Sequence, residues 1–132
     1  MNYLGLDFGL KHIGIAFSDG FLASPLTTIS IDKAAKMLPA IIDHHQVDKI
    51  IIGRPDKTQK FEFEKFIKLL KSTCPEQSRM GKLRIVDETL SSHDARQKLL
   101  HTTQKRRKNL EHSAAATLIL QSWLDSLADR RN

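Results

Sequence analysis

The sequence predicts an α/β fold, a mixed sheet of five strands with helices on its faces. Three observations predict it. The chain opens with two alternating apolar segments, Tyr3–Phe8 and His12–Asp19, that read as an antiparallel hairpin. Two short apolar runs, Lys49–Ile52 and Leu83–Val86, come later, each preceded by an amphipathic helical stripe. Strands separated by helices pair in parallel through crossovers, so a hairpin followed by βαβ units gives a mixed sheet.

In the hairpin, Leu4, Leu6 and Phe8 point to one face and Gly5 and Asp7 to the other. Ile13, Ile15 and Phe17 repeat the pattern, with Gly14 and Ala16 opposite. Asp7 stands near the turn, and the small residues on its face leave room for something to approach. Such an acid either binds a metal or a phosphate, or hydrogen-bonds its own loop. Leu26–Ile31 reads as a third strand, entered through Pro25. Asp32 then reads as the N-cap of a helix. Ala34, Leu38, Ile41 and Ile42 form its stripe, and Pro39 should kink it or end its first turn. Lys49–Ile52, closed by Gly53, reads as a buried parallel strand.

Residues 54–60 read as a polar loop. Phe63, Phe66, Ile67 and Leu70 mark a second amphipathic helix, with Glu64 and Lys68 an i,i+4 pair. After a loop over 74–81, Leu83–Val86 is the last strand and runs into Asp87 and Glu88. Ser91 with Asp94 resembles a capping box opening a helix that carries Ala95, Leu99 and Leu100. Residues 101–109 are polar and basic, and a final helix is expected from about Glu111 to Ala128. Ala114, Ala115 and Ala116 should let it approach a sheet closely. Leu120 and Trp123 read as core.

The whole chain, 1–132, reads as one domain, long enough for a real core. Hydrophobic residues make up 40% of it, which excludes a disordered chain. No apolar run reaches the ~20 residues of a membrane span, and no basic segment leads an apolar one at the start. The single cysteine, Cys74, cannot staple the domain and fits a reducing, cytoplasmic setting. Lys and Arg outnumber Asp and Glu by 21 to 15, for a formal charge of +6. That excess favours a polyanionic partner, most often nucleic acid. With one Trp and one Tyr, base stacking on aromatic rings is not indicated. The histidines form no zinc pattern, and adjacent His44 and His45 on a helix should not face one another.

Three acids fall at positions that bear on chemistry. Asp7 ends the first strand, Glu88 follows the last strand, and Glu111 is expected in the first turn of the final helix. Ligands of open α/β sheets collect at strand carboxyl ends. Carboxylates gathered there repel one another unless a cation neutralises them, and Mg²⁺ or Mn²⁺ suits such oxygens. Lys11 sits in the turn beside Asp7, facing either a phosphate or solvent. Lys105, Arg106, Arg107 and Lys108 form the densest basic run, expected just before the final helix, where it can guide a phosphate backbone toward the acids.

These segments resemble the YqgF/RuvX family of the ribonuclease H-like, resolvase-type superfamily. The matching stretches are LGLDFGLKHIGIAFSD (4–19), IIIGRP (50–55), VDETLSS (86–92) and AAATLILQSWLD (114–125). The resemblance implies a ribonuclease H-like mixed five-stranded sheet, antiparallel hairpin strands followed by parallel ones, with helices on both faces. It implies a nuclease that processes the 5′ end of pre-16S ribosomal RNA, with one or two Mg²⁺ or Mn²⁺ ions held by Asp7, Glu88 and Glu111. Glu111 takes the place of a usual Asp, Leu10 and His12 stand where Thr and Arg are frequent, and Arg54 replaces an apolar residue. The loop after Pro55 is shorter than in the family.

Expected partners are therefore structured RNA or branched DNA and no membrane, for a monomer or weak homodimer. Competing readings are cleavage of four-way DNA junctions by the same acids, or a catalytically silent ribosome-assembly factor. A phosphate-loop ATPase of the actin and sugar-kinase type also opens on an Asp-x-Gly hairpin, but it needs a second related domain.

Overall fold

The computed structural model describes residues 1–73, 82–87 and 104–131; of residues 87, 104–111 and 128–131 it describes the backbone. The expected loop over 74–81 with Cys74, the capping box at Ser91 and Asp94, its helix, and Glu88 lie outside the described residues.

The strands are β1 (Tyr3–Phe8), β2 (His12–Ser18), β3 (Ala23–Ser30), β4 (Lys49–Arg54) and β5 (Leu83–Asp87). The helices are α1 (Ala34–His44), α2 (Lys60–Thr73) and α3 (Gln104–Arg131). The sheet runs in the order β3-β2-β1-β4-β5. The β1–β2 and β2–β3 pairs are antiparallel, and β1–β4 and β4–β5 are parallel. The expected mixed sheet is thus present, with β1 at its centre and all six β1 residues buried.

Alternation in β1 and β2 sorts the two layers. Leu4, Leu6, Phe8, Ile13 and Ile15 pack with Leu38 and Ile42 of α1 and Phe63, Phe66 and Leu70 of α2. Tyr3, Ala16 and Ile51 pack on the other face with Ala116, Ile119, Leu120 and Leu124 of α3. Trp123 is half-buried against this second layer, its ring tilted on Tyr3 at 5.3 Å.

The small residues of that face do not leave a space. They seat α3. A Cβ on Gly5 would lie 2.8 Å from Leu120 Cβ and 2.9 Å from the Ala116 carbonyl oxygen. A Cβ on Gly14 would overlap the His112 carbonyl and come within 2.7 Å of Ser113 N. The room inferred beside Asp7 is filled by a helix backbone.

Several local expectations are corrected. β3 begins at Ala23, so Pro25 lies inside it, opposite Ala16 and beside a register shift. An edge strand tolerates a proline because half its backbone groups face no neighbour. Asp32 is no cap: it sits within a 3₁₀ turn, Ile31–Lys33, that leads into α1. Helix α1 continues through Pro39, its apolar stripe holding it to the sheet. The polar loop after β4 contains a 3₁₀ turn, Lys57–Gln59, and the Asp56 carboxylate accepts from Thr58 N at 3.0 Å. His44 and His45 do meet, ring centroids 4.9 Å apart, because His45 lies past the helical turn as its C-cap.

The largest correction is the start of α3, at Gln104 rather than near Glu111. Lys, Arg and Gln are good helix formers, and no Gly or Pro interrupts the run. The basic run Lys105–Lys108 is therefore part of the helix. Among the described residues no helix is long and apolar enough to cross a membrane.

Gly14→Ala tests the seating of α3. A methyl there must displace helix backbone, a change expected to cost at least about 2 kcal/mol. The urea midpoint of unfolding should fall accordingly, whereas Ser24→Ala on the exposed edge strand should leave it within experimental error.

Candidate functional site

Asp7 lies one residue from the carboxyl end of β1, paired with Gly14 on one side and Gly53 on the other. Its parity points it at α3, and it is 6% exposed. The Nδ1 of His112, on α3, stands 3.2 Å from Asp7 Oδ2. A carboxylate only accepts, so Nδ1 donates in the tautomer that makes this hydrogen bond. Among the described residues this is the hydrogen-bonding contact of the Asp7 carboxylate. Gly9 clears the ring: a Cβ there would come 3.1 Å from His112 Cε1. His12, at the start of β2, lies with its ring centroid 6.1 Å from that of His112.

The direction of α3 decides what else reaches this edge. Leu124 and Trp123 pack near Tyr3, Leu120 and Ala116 against Gly5, and His112 at Asp7 and Gly14. The helix therefore runs antiparallel to β1. Its residues before His112, about 12 Å of helix, extend past the carboxyl edge of the sheet. Glu111 is the neighbour of the residue that touches Asp7, one Cα step of about 3.8 Å away. It sits in the third turn of α3, not the first as expected. Lys105–Lys108 occupy the first two turns, on the same overhang.

The other candidates divide. Lys11 is exposed in the β1–β2 turn, and its carbonyl accepts from Ile31 N at 2.8 Å, which fixes that turn to the end of β3. Glu88 lies outside the described residues; Asp87, which precedes it, is paired with Arg54 at the same carboxyl edge. The row Asp7–Gly53–Val86 crosses β1, β4 and β5, so the strand leading to Glu88 ends one residue beyond the level of Asp7. Among the described residues no group of three His, Cys, Asp or Glu side chains is gathered as a metal cage.

His112 is the residue that sequence reasoning missed. The available signal was its place beside Glu111, ahead of the alanine run. One helical residue next to a candidate ligand and above a glycine-lined hairpin was a second candidate for the same edge.

The pairing of Asp7 with His112 has a measurable energy. His112→Ala leaves a buried carboxylate without this donor, at an expected cost of about 1–3 kcal/mol. In the Asp7→Asn background the same change should cost less. Urea unfolding of the four proteins of this double-mutant cycle should give a coupling of about 1 kcal/mol or more.

Comparison with known proteins adds the following. The sequence model of the RuvX family, described as Holliday junction resolvase, matches residues 1–126. A protein of Sulfurihydrogenibium sp. (strain YO3AOP1) named "Putative pre-16S rRNA nuclease" is 36% identical over 134 residues, covering 95% of this chain and 90% of its own length. A protein of the same name from Geobacillus sp. (strain WCH70) is 36% identical over 143 residues, covering 96% and 99%. Among solved structures, T. thermophilus RuvC in complex with a Holliday junction substrate aligns with a TM-score of 0.64 at 11% identity, over 100% of this chain and 96% of that one. Fowlpox virus resolvase with Holliday junction DNA aligns at 0.56 and 14% identity, over 96% and 99%. These structural likenesses show the fold, the ribonuclease H-like arrangement that the sequence resemblance implies.

Proposed function

The chain belongs to the RuvX family, and from that premise we propose that it is a divalent-metal-dependent nuclease acting in 5′-end processing of pre-16S rRNA. One observation carries the reading. A buried carboxylate, Asp7, stands at the carboxyl edge of the central strand, beneath a helix whose basic first turns overhang that edge. The substrate class is supported by the relatives that match 95% and 96% of the chain and carry the name "Putative pre-16S rRNA nuclease".

The donor chemistry fits a hard divalent cation. A buried carboxylate requires a positive or hydrogen-bonding partner, and Asp7 is met among the described residues by a ring nitrogen. Asp7, Glu88 and Glu111 are the assigned ligands and catalytic acids, a carboxylate set suited to Mg²⁺ or Mn²⁺. When bound, one or two such ions would supply Lewis acidity, to activate a water and to neutralise charge on the leaving oxygen. The remaining work falls to the chain itself. His112 holds the Asp7 carboxylate in place from the helix side. Lys11 meets phosphate from the β1–β2 turn, and Lys105, Arg106, Arg107 and Lys108 meet it from the helix overhang. Cations at a helix N-terminus oppose the helix dipole, and a polyanion relieves that opposition.

The family description favours a second substrate, a four-way DNA junction cut by the same acids. Junction resolvases make two symmetric cuts and work as two-fold dimers. The RNA reading needs only a monomer or weak homodimer. A role in ribosomal RNA processing carries with it the expectation of a cytoplasmic protein.

The test is cleavage of end-labelled pre-16S RNA, beside a four-way DNA junction, with Mn²⁺, Mg²⁺ or EDTA. Cleavage should require the metal. It should fall by more than about 100-fold in Asp7→Asn, since even residues that merely support metal ligands carry 10- to 100-fold. Glu111→Asp should retain cleavage and Glu111→Gln should lose it. Cleavage of RNA that survives EDTA or Asp7→Asn defeats the proposal; cleavage of the junction alone transfers it to DNA.

A further inference from the structure

The sequence points to basic residues at the β1–β2 turn and before Glu111. A third basic surface emerges only in the fold. A cleft of about 820 Å³ opens between α2 and the β4–β5 edge. Its wall carries Arg54, Lys57, Lys60, Lys68 and Lys71 against two carboxylates, Asp56 and Glu64. One of those carboxylates is already engaged, since Asp56 caps the 3₁₀ turn through Thr58 N. Among the described residues none of the five cations forms an ion pair, and the expected Glu64–Lys68 pair is not made. All five are exposed. The floor is apolar: Phe63, Ile67 and Ile85, the last 39% exposed.

The place of this cleft relative to Asp7 follows from register. Gly53 pairs with Asp7, and Arg54 is the next residue of β4. The Cα atoms of Arg54 and Asp7 are therefore about 6 Å apart, one strand spacing across and one residue along. Alternation turns Arg54 to the α2 face and Asp7 to the α3 face. The cleft and the acid thus share one carboxyl edge and lie on opposite sides of it. A strand crossing that edge touches both.

We propose that this cleft binds a single-stranded segment of the nucleic acid flanking the cleaved bond, with phosphates on the lysine rim and bases on the apolar floor. The proposal rests on the nuclease reading above and adds a binding surface to it. Charge selects a polyanion, since five cations around one opening, with no ion pair among the described residues, gather counterions that phosphates replace with a gain in counterion entropy. The apolar floor selects a single strand, because a duplex turns its bases inward whereas a single strand offers their faces. A solvated helix face explains exposed lysines, but not their grouping with Arg54 and Lys57 around an exposed isoleucine.

The test compares Lys68→Gln/Lys71→Gln with Lys33→Gln/Lys36→Gln, a control pair of equal charge on the α1 side. Both pairs are placed in full-length Asp7→Asn protein, with EDTA present, so that binding is read without cleavage. The probe is a labelled 20-nucleotide single-stranded RNA, titrated at several salt concentrations. The cleft pair should weaken binding about tenfold and lower the slope of log K against log salt by about 1.4, two lysines at ~0.7 each. The control pair should change affinity less than twofold. Equal losses in both pairs, or none in the cleft pair, overturn the proposal. Equal losses on a 20-base-pair duplex overturn its single-strand assignment. In otherwise wild-type protein the cleft pair should raise KM for RNA cleavage and leave kcat unchanged. Failure of the two readings is separable. Intact binding in the cleft pair with cleavage still dependent on Asp7 removes the cleft alone. Cleft-dependent binding by a protein that cleaves nothing removes the nuclease alone.

Discussion

The contact between the α3 backbone and the glycine face of the first hairpin is the constraint on which the site depends. Gly14 touches the backbone at His112 and Ser113, and Gly5 touches Ala116 and Leu120. Side chains at those two positions would hold the helix off the sheet. With the helix seated, three consequences follow at once. His112 reaches Asp7, Glu111 comes to the carboxyl edge, and the basic turns project beyond it. The apolar layer of Tyr3, Ala16, Ile51, Ile119 and Leu120 supplies the adhesion. The glycines supply the distance. Adhesion without that close approach would still fold the chain, but it would not bring His112 to Asp7.

How much of this was legible depends on the range of the interaction that decides it. The alternation Leu4-Gly5-Leu6-Asp7-Phe8 is local, and it correctly sorted two faces of β1. Parallel pairing of Ile50–Ile52 was legible because a β-branched run between two amphipathic helices has few other places to go. What covers the glycine face was not legible, since a row of small residues admits a ligand or a helix equally well. Only the return of the chain 105 residues later settles it, in the contact of His112 with Asp7. Pro25 misled for a related reason: its cost depends on whether β3 is an edge strand, a property of the assembled sheet. The start of α3 is hidden in the sequence because a polar, basic run suits a loop and a helix alike, Lys, Arg and Gln costing a helix little.

The site was legible in unequal parts. Asp7 announced itself through its position at a hairpin end among small residues. Glu88 and Glu111 did not, being two of fifteen acids, and their assignment came from matching segments along the chain. The cleft of Arg54 and Lys57 with Lys60, Lys68 and Lys71 was not legible at all. Its residues come from the end of β4, a 3₁₀ turn and one face of α2, with Ile85 added from β5. Along the sequence those lysines look like the solvated side of an amphipathic helix, which is what most such lysines are.

The distribution of charge explains why acids and bases coexist so closely. Bringing carboxylates to one sheet edge is unfavourable by itself, and so is a cluster of cations in the first turns of a helix. The backbone of the first turns of α3 lies beyond the edge that carries Asp7. In the proposed assignment each cluster would be neutralised from outside, the acids by a small hard cation and the bases by phosphates. A phosphodiester strand laid over the carboxyl edge answers both demands, since its charges meet the basic turns while its backbone passes the acids. At an edge arranged in this way, metal and substrate each lower the electrostatic cost of admitting the other. Their binding is then expected to be coupled, and by linkage the coupling must be the same in both directions.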